Sequence, residues 1–149
     1  MSGKIKIRLM QESDYEAVLN IDEKVNKVLR EEYYKLKFEK LIESADYVPT
    51  SLVAEDNKGK VLGFIMGELF RGEFGISADR ATLDTIGVDP DYQGMGIGKM
   101  LIKEFIEHLK TLGVEKVNTL VKWNDPQLIP FFSSNEFVPS TTINLVREI

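Results

Sequence analysis

The sequence predicts an α/β fold in which a mixed, mostly antiparallel central sheet is flanked by helices. Segments of period two alternate with segments of helical period along 149 residues. Two apolar segments flank a good turn sequence, which predicts a hairpin, and a later strand, helix and strand predict a parallel pair. The chain contains no internal repeat and no linker rich in Pro, Gly or Ser. It is therefore predicted to form one domain over residues 1–149.

The first third of the chain is predicted to contain one strand and two helices. Residues 4–10 alternate apolar with basic side chains, as in a half-buried strand. A Ser-x-x-Glu capping box at Ser13 and Glu16 predicts the start of a helix. The expected inward positions of this helix are Val18, Ile21 and Val25. Residues 30–45 continue with helical spacing, and the expected inward positions there are Leu41, Ile42 and Ala45.

The middle of the chain is predicted to form three strands. Residues 51–55 and 60–70 flank residues 56–59 (Asp-Asn-Lys-Gly), a sequence typical of tight turns, and so predict a hairpin. Residues 71–79 form a glycine-containing connection, and residues 80–88 are the next strand.

One amphipathic helix dominates the last third. Residues 98–112 place a single apolar stripe on this helix, and Gly113 follows as a C-cap. The stripe consists of Leu101, Ile102, Phe105, Leu109 and Leu112. Residues 114–121 are rich in β-branched side chains and predict a strand, which the helix joins to the preceding strand by a right-handed crossover.

A short helix and two extended segments are predicted at the C-terminal end. Asp125 is a suitable N-cap and Pro126 a suitable first helical residue. Pro130 removes a helix donor four residues later, so the helix is expected to be short or bent. Two short extended segments follow from Phe137, and the second alternates over residues 142–147.

The composition excludes several classes of site. The chain has no cysteine, which excludes disulfides, thiolate metal sites and cysteine nucleophiles. A single histidine, His108, makes a histidine metal site or a Ser-His-Asp triad hard to build, so no metal is expected. The net charge of -5 argues against a general nucleic-acid binder. No apolar segment reaches the roughly 20 residues of a membrane span and no signal peptide opens the chain, so the expected location is cytoplasmic.

A glycine-rich junction between the fourth predicted strand and the long helix has the form of an anion site. Gly94, Gly96 and Gly98 alternate there, and glycine lets a phosphate approach the backbone without a Cβ in the way. The first turn of a helix has four unpaired N–H groups and a partial positive charge. Residues 93–103 contain no Asp or Glu and carry Lys99 instead. This charge pattern favours a strongly negative ligand such as a pyrophosphate.

The glycines also have other possible roles. The loop could need its glycines only for its own turn geometry. A Walker A loop would require glycine at Gln93 and Ser or Thr at Met100. The dinucleotide-binding pattern would require glycine at Lys99. The spacing therefore disfavours other nucleotide-binding α/β domains.

The segment from Val88 to Gly98 resembles motif A of the GNAT superfamily, the acetyl-CoA-dependent N-acetyltransferases. The shared pattern is Val-x-Pro-x-x-Gln-x-x-Gly-x-Gly, with strand, loop and helix in the places that the family requires. The opening IKIRLMQESDYEAV is similar to the first strand and helix of the family, and WNDPQLIPFFSSNEF occupies the place of its motif B. Residues 81–113 look closest to ribosomal-protein N-terminal acetyltransferases and similar small-molecule enzymes. The resemblance implies the GNAT fold, with a splayed parallel strand pair.

The resemblance also implies a set of residues that bind acetyl-CoA, the co-substrate. The coenzyme A pyrophosphate would be held by the backbone N–H groups of Gln93, Gly94, Met95, Gly96, Ile97, Gly98 and Lys99. Ile86 and Val88 would pair with the pantetheine arm through their backbones, and Gly87 would keep that edge clear, unless it reflects tight packing. Asp125 stands where the family often places Asn at the start of its last helix.

Asp84 is the first candidate for the base that must deprotonate the acceptor amine. A period of two would put it on one face with Ile86 and Val88, so that a carboxylate lies among apolar neighbours beside the splayed strand. The structural alternatives are a solvent-facing aspartate or a salt bridge to Arg71 or Arg80.

Glu68 is the second candidate for the catalytic base. It is expected to share a face of the neighbouring strand with Leu62, Phe64 and Met66. The alternative is a strand end that emerges into water. Glu73, in the following loop, could also reach an acceptor amine.

Three further positions depart from the family pattern. The tyrosine commonly proposed as general acid corresponds to Phe132, and a glycine of the family is replaced by Glu136. A glutamate used as base by ribosomal-protein acetyltransferases corresponds to Leu120. These departures weaken the ribosomal-protein assignment and allow an alternative function, a coenzyme-A-binding sensor or interaction module with weak or lost catalysis.

The sequence and the resemblance together predict an N-acetyltransferase that moves an acetyl group from acetyl-CoA to a primary amine. Direct attack in a ternary complex is expected, because no cysteine exists to carry an acyl intermediate. The expected acceptor is a small-molecule amine or a peptide N-terminus, and a cationic amine is favoured if Asp84, Glu68 or Glu73 lines its pocket. No nucleic acid or membrane partner is expected. The resemblance allows a homodimer.

Overall fold

The computed structural model describes residues 4–43, 49–70, 74 and 79–149. The chain divides into two compact units, Met1–Thr119 and Leu120–Ile149. The described residues of the first unit form strands and helices in the order β1 (Lys6–Leu9), α1 (Tyr15–Asn26), α2 (Glu31–Glu43), β2 (Leu52–Glu55), β3 (Val61–Leu69), β4 (Arg80–Val88), α3 (Ile97–Thr111) and β5 (Lys116–Thr119). The second unit contains α4 (Leu128–Ser134). The prediction of a single domain over residues 1–149 stays a prediction.

The first unit is built on a five-stranded sheet of spatial order β1-β2-β3-β4-β5. The first three neighbouring pairs are antiparallel, and β4 pairs with β5 in parallel after the α3 crossover. The predicted mixed, mostly antiparallel sheet is therefore confirmed. The predicted hairpin is also confirmed, because β2 and β3 pair on either side of a turn in which Asp56 accepts from the backbone N–H groups of Lys58 and Lys60, each at 2.9 Å.

The two faces of the sheet are covered by different helices. On one face, Tyr34 of α2 packs edge-on against Phe64 of β3 with ring centroids 5.9 Å apart. On the other face, an added Cβ at Gly63 would meet Ile97 and Leu101 of α3 at 3.2 Å. The core on the α1–α2 side consists of Met10, Val18, Leu19, Ile21, Tyr34, Phe38, Val53, Phe64 and Met66. The apolar burial of this kind of core is the main force that holds the helices on the sheet.

Helix α3 follows the predicted apolar stripe closely. Its buried residues are Ile97, Leu101, Ile102, Phe105 and Leu109. Leu112 is the exception, because it lies past the last helical turn and is 37% exposed. Gly113 follows with a φ of 80°, the left-handed conformation that glycine adopts at helix ends at low cost.

The predicted start of α1 is wrong in detail. Residues Glu12–Asp14 form a short 3₁₀ turn, and the Asp14 carboxylate accepts from the backbone N–H of Gln11 at 2.7 Å. Asp14 takes the role predicted for the Ser13 box because it is charged and also binds Arg8 at 2.8 Å, and charged acceptors bond more strongly than hydroxyls. Of the expected inward positions, Val18 and Ile21 are buried, whereas Val25 is 38% exposed near the helix end. Leu41, Ile42, Ala45, Arg71 and Glu73 lie outside the residues whose side chains the structure describes.

The second unit places the helix start later than predicted and contradicts the predicted strands. Gln127 rather than Asp125 is the N-cap residue, and Leu128 rather than Pro126 is the first helical residue. Asp125 accepts from the backbone N–H groups of Gln127 and Leu128 at 2.9 and 2.8 Å, so α4 begins two residues after Pro126. The helix is short, as expected for a segment that contains Pro130. Residues 120–149, all of which the structure describes, contain no strand. Instead, Ser140 and Thr142 bond to each other through side chain and backbone, which is the local competition that Ser and Thr offer to a sheet.

We expect Gly67→Ala to destabilise the sheet by about 3 kcal/mol, since overpacking a rigid core typically costs 1–3 kcal/mol. A Cβ at Gly67 would clash with the carbonyl oxygen of Thr82 and would lie 2.5 Å from the Phe105 ring, which is fully buried. Urea unfolding measures the loss. Gly63→Ala is the comparison, because the nearest atom there is 3.1 Å away. An equal loss at both positions would contradict this account.

Candidate functional site

The parallel strand pair opens at one end. The register pairs residues 80–83 of β4 with residues 116–119 of β5, and β4 then continues to Val88 after β5 has ended. The hydroxyl of Thr119 donates to the carbonyl oxygen of Leu83 at 2.8 Å and closes the paired segment. Every second residue of a strand directs its N–H and C=O toward the same edge. Residues 84–88 therefore offer backbone groups at an edge where the described residues place no partner strand, in agreement with the predicted splay.

A β-bulge lies at the point where the two strands separate. Thr85 pairs with Met66, and Leu83 pairs with Gly67, so Asp84 is an extra residue on β4. A bulge interrupts the alternation of side chains and turns the extra residue toward one face.

The bulge corrects the expectation that Asp84 shares a face with Ile86 and Val88. Thr85 contacts Tyr34 of α2 through its hydroxyl at 3.3 Å, and Asp84 binds Lys37 of the same helix. An added Cβ at Gly87 would meet Phe64 at 2.8 Å and Ile21 at 3.6 Å, so position 87 also faces α1 and α2. By alternation Ile86 and Val88 face the α3 side. The tight-packing explanation of Gly87 is thereby supported, because a side chain there would collide with a buried ring.

The loop between β4 and α3 presents its glycines without cover. Gly94 and Gly96 have φ values of 84° and 78°, which favour glycine, and an added Cβ at either position would have no neighbour within 4 Å among the described atoms. Gly96 is the N-cap of α3, and the next residue, Ile97, is buried and fixes the start of the helix. The chain thus reaches the helix through exposed backbone.

The start of α3 is an electropositive group of backbone donors. Within the described part of the chain, the hydrogen bonds made outside helices and strands include none donated by the N–H groups of residues 94–99. The first turn contains no acidic residue, and the Lys99 side chain is exposed. A helix start of this kind binds anions through its N–H groups and its dipole. Gln93 is partly committed already, since its backbone N–H donates to the Pro90 carbonyl at 3.5 Å and its side chain donates to the Val88 carbonyl at 3.4 Å.

Asp89 anchors the beginning of this loop. Its buried carboxylate accepts from the backbone N–H of Asp91 at 3.0 Å and from Lys24 of α1 at 3.1 Å. Burial by itself would raise the pKa of Asp89, but the Asp91 N–H and the Lys24 ammonium outweigh it and hold the pKa below its usual value. The ionised Asp89 therefore ties the loop to α1.

We expect Asp89→Asn to lower the free energy of unfolding by about 2 kcal/mol at pH 7, the usual worth of a hydrogen bond to a charged group. A carboxyl whose pKa is lowered by folding stabilises the protein above its unfolded pKa of about 3.9, and this stability is lost as the pH falls through the lower folded pKa. Urea unfolding between pH 2.5 and 7 should therefore show a smaller acid loss in the variant. Asp91→Asn, at an exposed side chain 3.8 Å from Lys24, is the control. Identical acid profiles in wild type and Asp89→Asn would contradict the prediction.

Four charged side chains of the described residues form a cluster beside the bulge. The Lys37 ammonium lies 2.5 Å from Oδ2 of Asp84 and 3.7 Å from Oε1 of Glu68, and Lys40 binds the same Glu68 oxygen at 2.9 Å. Burial lowers the pKa of Lys37, but the Asp84 carboxylate more than compensates and the pKa is raised overall. The cluster of Lys37, Lys40, Glu68 and Asp84 brings both candidate bases together on the α2 side of the sheet. The alternatives of a solvent-facing Asp84 and of a salt bridge to Arg80 do not describe these contacts, and Arg71 lies outside the described residues.

A second polar network holds α2 against this part of β4. The buried Asp22 carboxylate accepts from the Tyr34 hydroxyl at 2.8 Å, from Asn26 at 2.7 Å and from Arg30 through two nitrogens. Tyr34 in turn contacts Thr85, the neighbour of Asp84. Burial raises the pKa of the Tyr34 phenol and the Asp22 carboxylate raises it further, so the phenol keeps its proton at neutral pH. Sequence reasoning missed Lys37 and Asp22, because both act through partners on other elements.

In the second unit, Phe132 is a buried core residue. Its ring packs edge-on against Phe131 and Phe137 with centroids 5.4 and 5.2 Å apart. Asp125 uses one carboxylate oxygen to cap α4, and these hydrogen bonds lower its pKa. Among the residues that the structure describes, no cluster of three or more acidic or histidine side chains could hold a metal ion, and no helix is long and apolar enough to cross a membrane.

The sheet with its open parallel pair and the glycine-rich start of α3 define the acetyltransferase fold class expected from motif A. The family model described as the acetyltransferase (GNAT) family matches residues 15–137. The chain therefore belongs to the GNAT family.

Individual relatives agree with this assignment. An uncharacterised N-acetyltransferase, ycf52, of Gracilaria tenuistipitata var. liui is 33% identical over 103 residues, which are 69% of this chain but only 52% of that protein. The chain thus spans about half the length of this relative. An acetyltransferase of Pectobacterium atrosepticum is 27% identical over 97% of this chain and 96% of its own length. The aminoglycoside N-acetyltransferase AAC(6')-Iy, solved in complex with CoA, superposes with a TM-score of 0.79 over 99% of this chain and 97% of that chain at 16% identity, which shows a shared fold.

Proposed function

We propose that this chain transfers an acetyl group from acetyl-CoA to a primary amine by direct attack in a ternary complex. The observation that carries the proposal is the uncovered glycine loop at the start of α3, next to the open edge of β4. Membership of the GNAT family supports acetyl transfer as the class of reaction. The crystal structure of the fold neighbour AAC(6')-Iy with CoA supports acetyl-CoA as the co-substrate.

The glycine loop and the open edge of β4 fit the chemical groups of coenzyme A. The N–H groups of residues 93–99 would hold the pyrophosphate, which can approach because no side chain covers Gly94 or Gly96. Lys99 would add a positive charge at the same end of the helix. The backbones of Ile86 and Val88 would pair with the amide groups of the pantetheine arm along the open edge of β4. We keep Asp125 as a further coenzyme-binding candidate through its carboxylate.

Amine acetylation needs a base for the acceptor and a hydrogen-bond donor for the oxyanion, and the chain would supply both. When bound, acetyl-CoA supplies an electrophilic acetyl carbon and a thiolate leaving group. Asp84, which lies where β4 and β5 separate, would take the proton from the acceptor ammonium, and Glu68 is the second candidate for this role. A backbone N–H at the open edge would stabilise the oxyanion. A thiolate leaves without strong acid assistance near neutral pH, because free thiols titrate near pH 8.5. Phe132 is therefore compatible with catalysis.

Assays of thiol release test the proposed activity. Wild-type protein is incubated with acetyl-CoA and a panel of amines that covers polyamines, amino sugars, peptide N-termini and neutral arylamines. We expect release of coenzyme A with at least one cationic aliphatic amine, and the acetylated product identifies the acceptor. Turnover of neutral arylamines alone would contradict the preference for a cationic amine.

A coenzyme-A-binding module with weak or no catalysis is the second candidate function. The Phe132 ring stands where the family commonly has a tyrosine, and it is packed in an aromatic core rather than offering a hydroxyl. Calorimetric titration with acetyl-CoA, combined with the amine panel, separates the two candidates. A module binds acetyl-CoA but releases no thiol with any amine.

A further inference from the structure

The position of Lys37 carries an inference about how the acceptor site is occupied. Lys37 comes from α2, yet its ammonium crosses to β4 and binds Asp84, a residue 47 positions away in sequence. Asp84 is the bulged residue that follows the last β4–β5 pair. The ammonium therefore lies beside the group that we propose as base, at the end of the paired segment where the strands separate.

The surroundings of the Lys37 ammonium are those of an ammonium-binding site. Asp84 and Glu68 provide carboxylate oxygens at 2.5 and 3.7 Å, and the ring centroid of Tyr33 lies 5.6 Å away, within the range of a cation–π contact. The side chains of Lys37 and Asp84 are only 19% and 18% exposed. Such a site discriminates an alkyl ammonium from a neutral group by charge and by the aromatic face.

We propose that Lys37 occupies the acceptor-amine subsite as an internal competitor, which an incoming primary alkyl amine must displace before it can reach Asp84. This inference rests on the proposed acetyltransferase function and deepens it. With Lys37 in place the Asp84 carboxylate is already paired with an ammonium at 2.5 Å, so an external cation gains little there. With Lys37 displaced, one carboxylate charge is left to be matched by the acceptor.

Competition of this kind acts on the ground state. A protein whose binding-competent form is a small fraction of the total binds more weakly by that fraction. Replacement of Lys37 should therefore lower the KM for the acceptor and leave kcat almost unchanged. A lysine that merely stabilised the fold would not give this separation of KM from kcat.

The test uses Lys37→Ala together with n-propylamine, which has the three carbons and the amine that the substitution removes. Binding of propylamine is measured by chemical-shift titration without acetyl-CoA, and formation of N-propylacetamide is measured by mass spectrometry with acetyl-CoA. We expect a dissociation constant at least about tenfold lower in Lys37→Ala than in wild type. We also expect a KM at least about tenfold lower, with kcat changed less than about threefold.

Three controls sharpen the comparison. Lys40→Ala removes an ammonium from the same cluster and the same helix, but from a side chain that is 55% exposed and bound only to Glu68 within the cluster. It should leave propylamine binding at the wild-type level. Lys37→Arg keeps a cation beside Asp84 and should keep the high wild-type KM. 1-Propanol has the shape of propylamine without the charge, and it should not bind to any variant.

The outcomes separate this inference from the proposed function. Tighter propylamine binding confined to Lys37→Ala, with faster acetylation at low amine concentration, supports the inference. Equal binding in wild type, Lys37→Ala and Lys40→Ala would overturn it, and so would tight binding in Lys37→Ala without any gain in acetylation, while other amines are still acetylated. Failure of every variant to release coenzyme A with any amine would overturn the proposed function and this inference together.

Discussion

Gly96→Asp should weaken coenzyme A binding about 100-fold or more, whereas Gly96→Asn should weaken it only severalfold. Both substitutions place a side chain of the same size at the N-cap of α3, where the described structure leaves open space around an added Cβ. Asn and Asp tolerate positive φ better than most residues, so the φ of 78° is a modest burden for both. The two variants differ mainly in one negative charge.

The charge decides the effect because the ligand is a diphosphate. Two unit charges about 5 Å apart repel by about 3 kcal/mol at an effective dielectric constant of 20, and each 1.4 kcal/mol is a factor of ten in affinity. The same charge is favourable to the helix itself, since an acidic residue at a helix start interacts well with the dipole. Gly96→Asp should thus fold at least as stably as Gly96→Asn while it binds coenzyme A far more weakly.

Calorimetric titration with coenzyme A measures both affinities, and thermal unfolding without ligand checks the folds. A second titration with 3′-dephospho-coenzyme A distinguishes the contribution of the diphosphate to binding from that of the 3′-phosphate. The effect of Gly96→Asp should persist with this ligand. Equal affinity for Gly96→Asp and wild type would show that no diphosphate contacts this loop. In that case the coenzyme assignment of residues 93–99 would fall.

Much of the fold around this loop could be predicted because its signals are local. The bounds predicted for β4, residues 80–88, are those observed, and α3 begins within one residue of its expected start. A helix stripe, a tight turn and a glycine at a helix start each depend on a few neighbouring residues. The positive φ of Gly94 and Gly96 is the conformation that alternating glycines before a helix indicate.

Some of the predictions that failed depended on contacts between distant segments. Others depended on which of two neighbouring side chains makes a hydrogen bond. A period of two assumes an uninterrupted strand, and nothing in the sequence marks Asp84 as the extra residue of a bulge. Lys37 fell within the helical segment predicted over residues 30–45, and no role was predicted for it, because its partner lies 47 residues away. Asp14 takes the capping role that was predicted for Ser13, and it also binds Arg8 of β1. The extended segments after Phe137 were expected from alternation alone, and alternation supplies no partner strand.

Asp84→Asn should lower kcat/KM for the best acceptor about 10²- to 10⁴-fold, the usual contribution of a general base. An amide cannot accept the proton that the acceptor ammonium must lose. The variant should also change the pH profile, because only solvent would then remove the proton. Its rate should rise with pH toward the pKa of the acceptor amine, about 10 for an alkyl amine, and the gap from wild type should narrow.

Glu68→Gln is the matched variant, because Glu68 belongs to the same charge cluster and contacts the same Lys37 ammonium. If Asp84 is the base, Glu68→Gln should lose less than about tenfold in kcat/KM and keep the wild-type pH profile. Coenzyme A affinity, measured by calorimetry, should be unchanged in both variants, since the glycine loop lies at the other end of the β4 edge. Full activity in both variants would exclude both carboxylates as the base and leave the coenzyme site intact. A large loss in Glu68→Gln alone would assign the role of base to Glu68. The 2.5 Å pair between Lys37 and Asp84 would then be a purely structural contact.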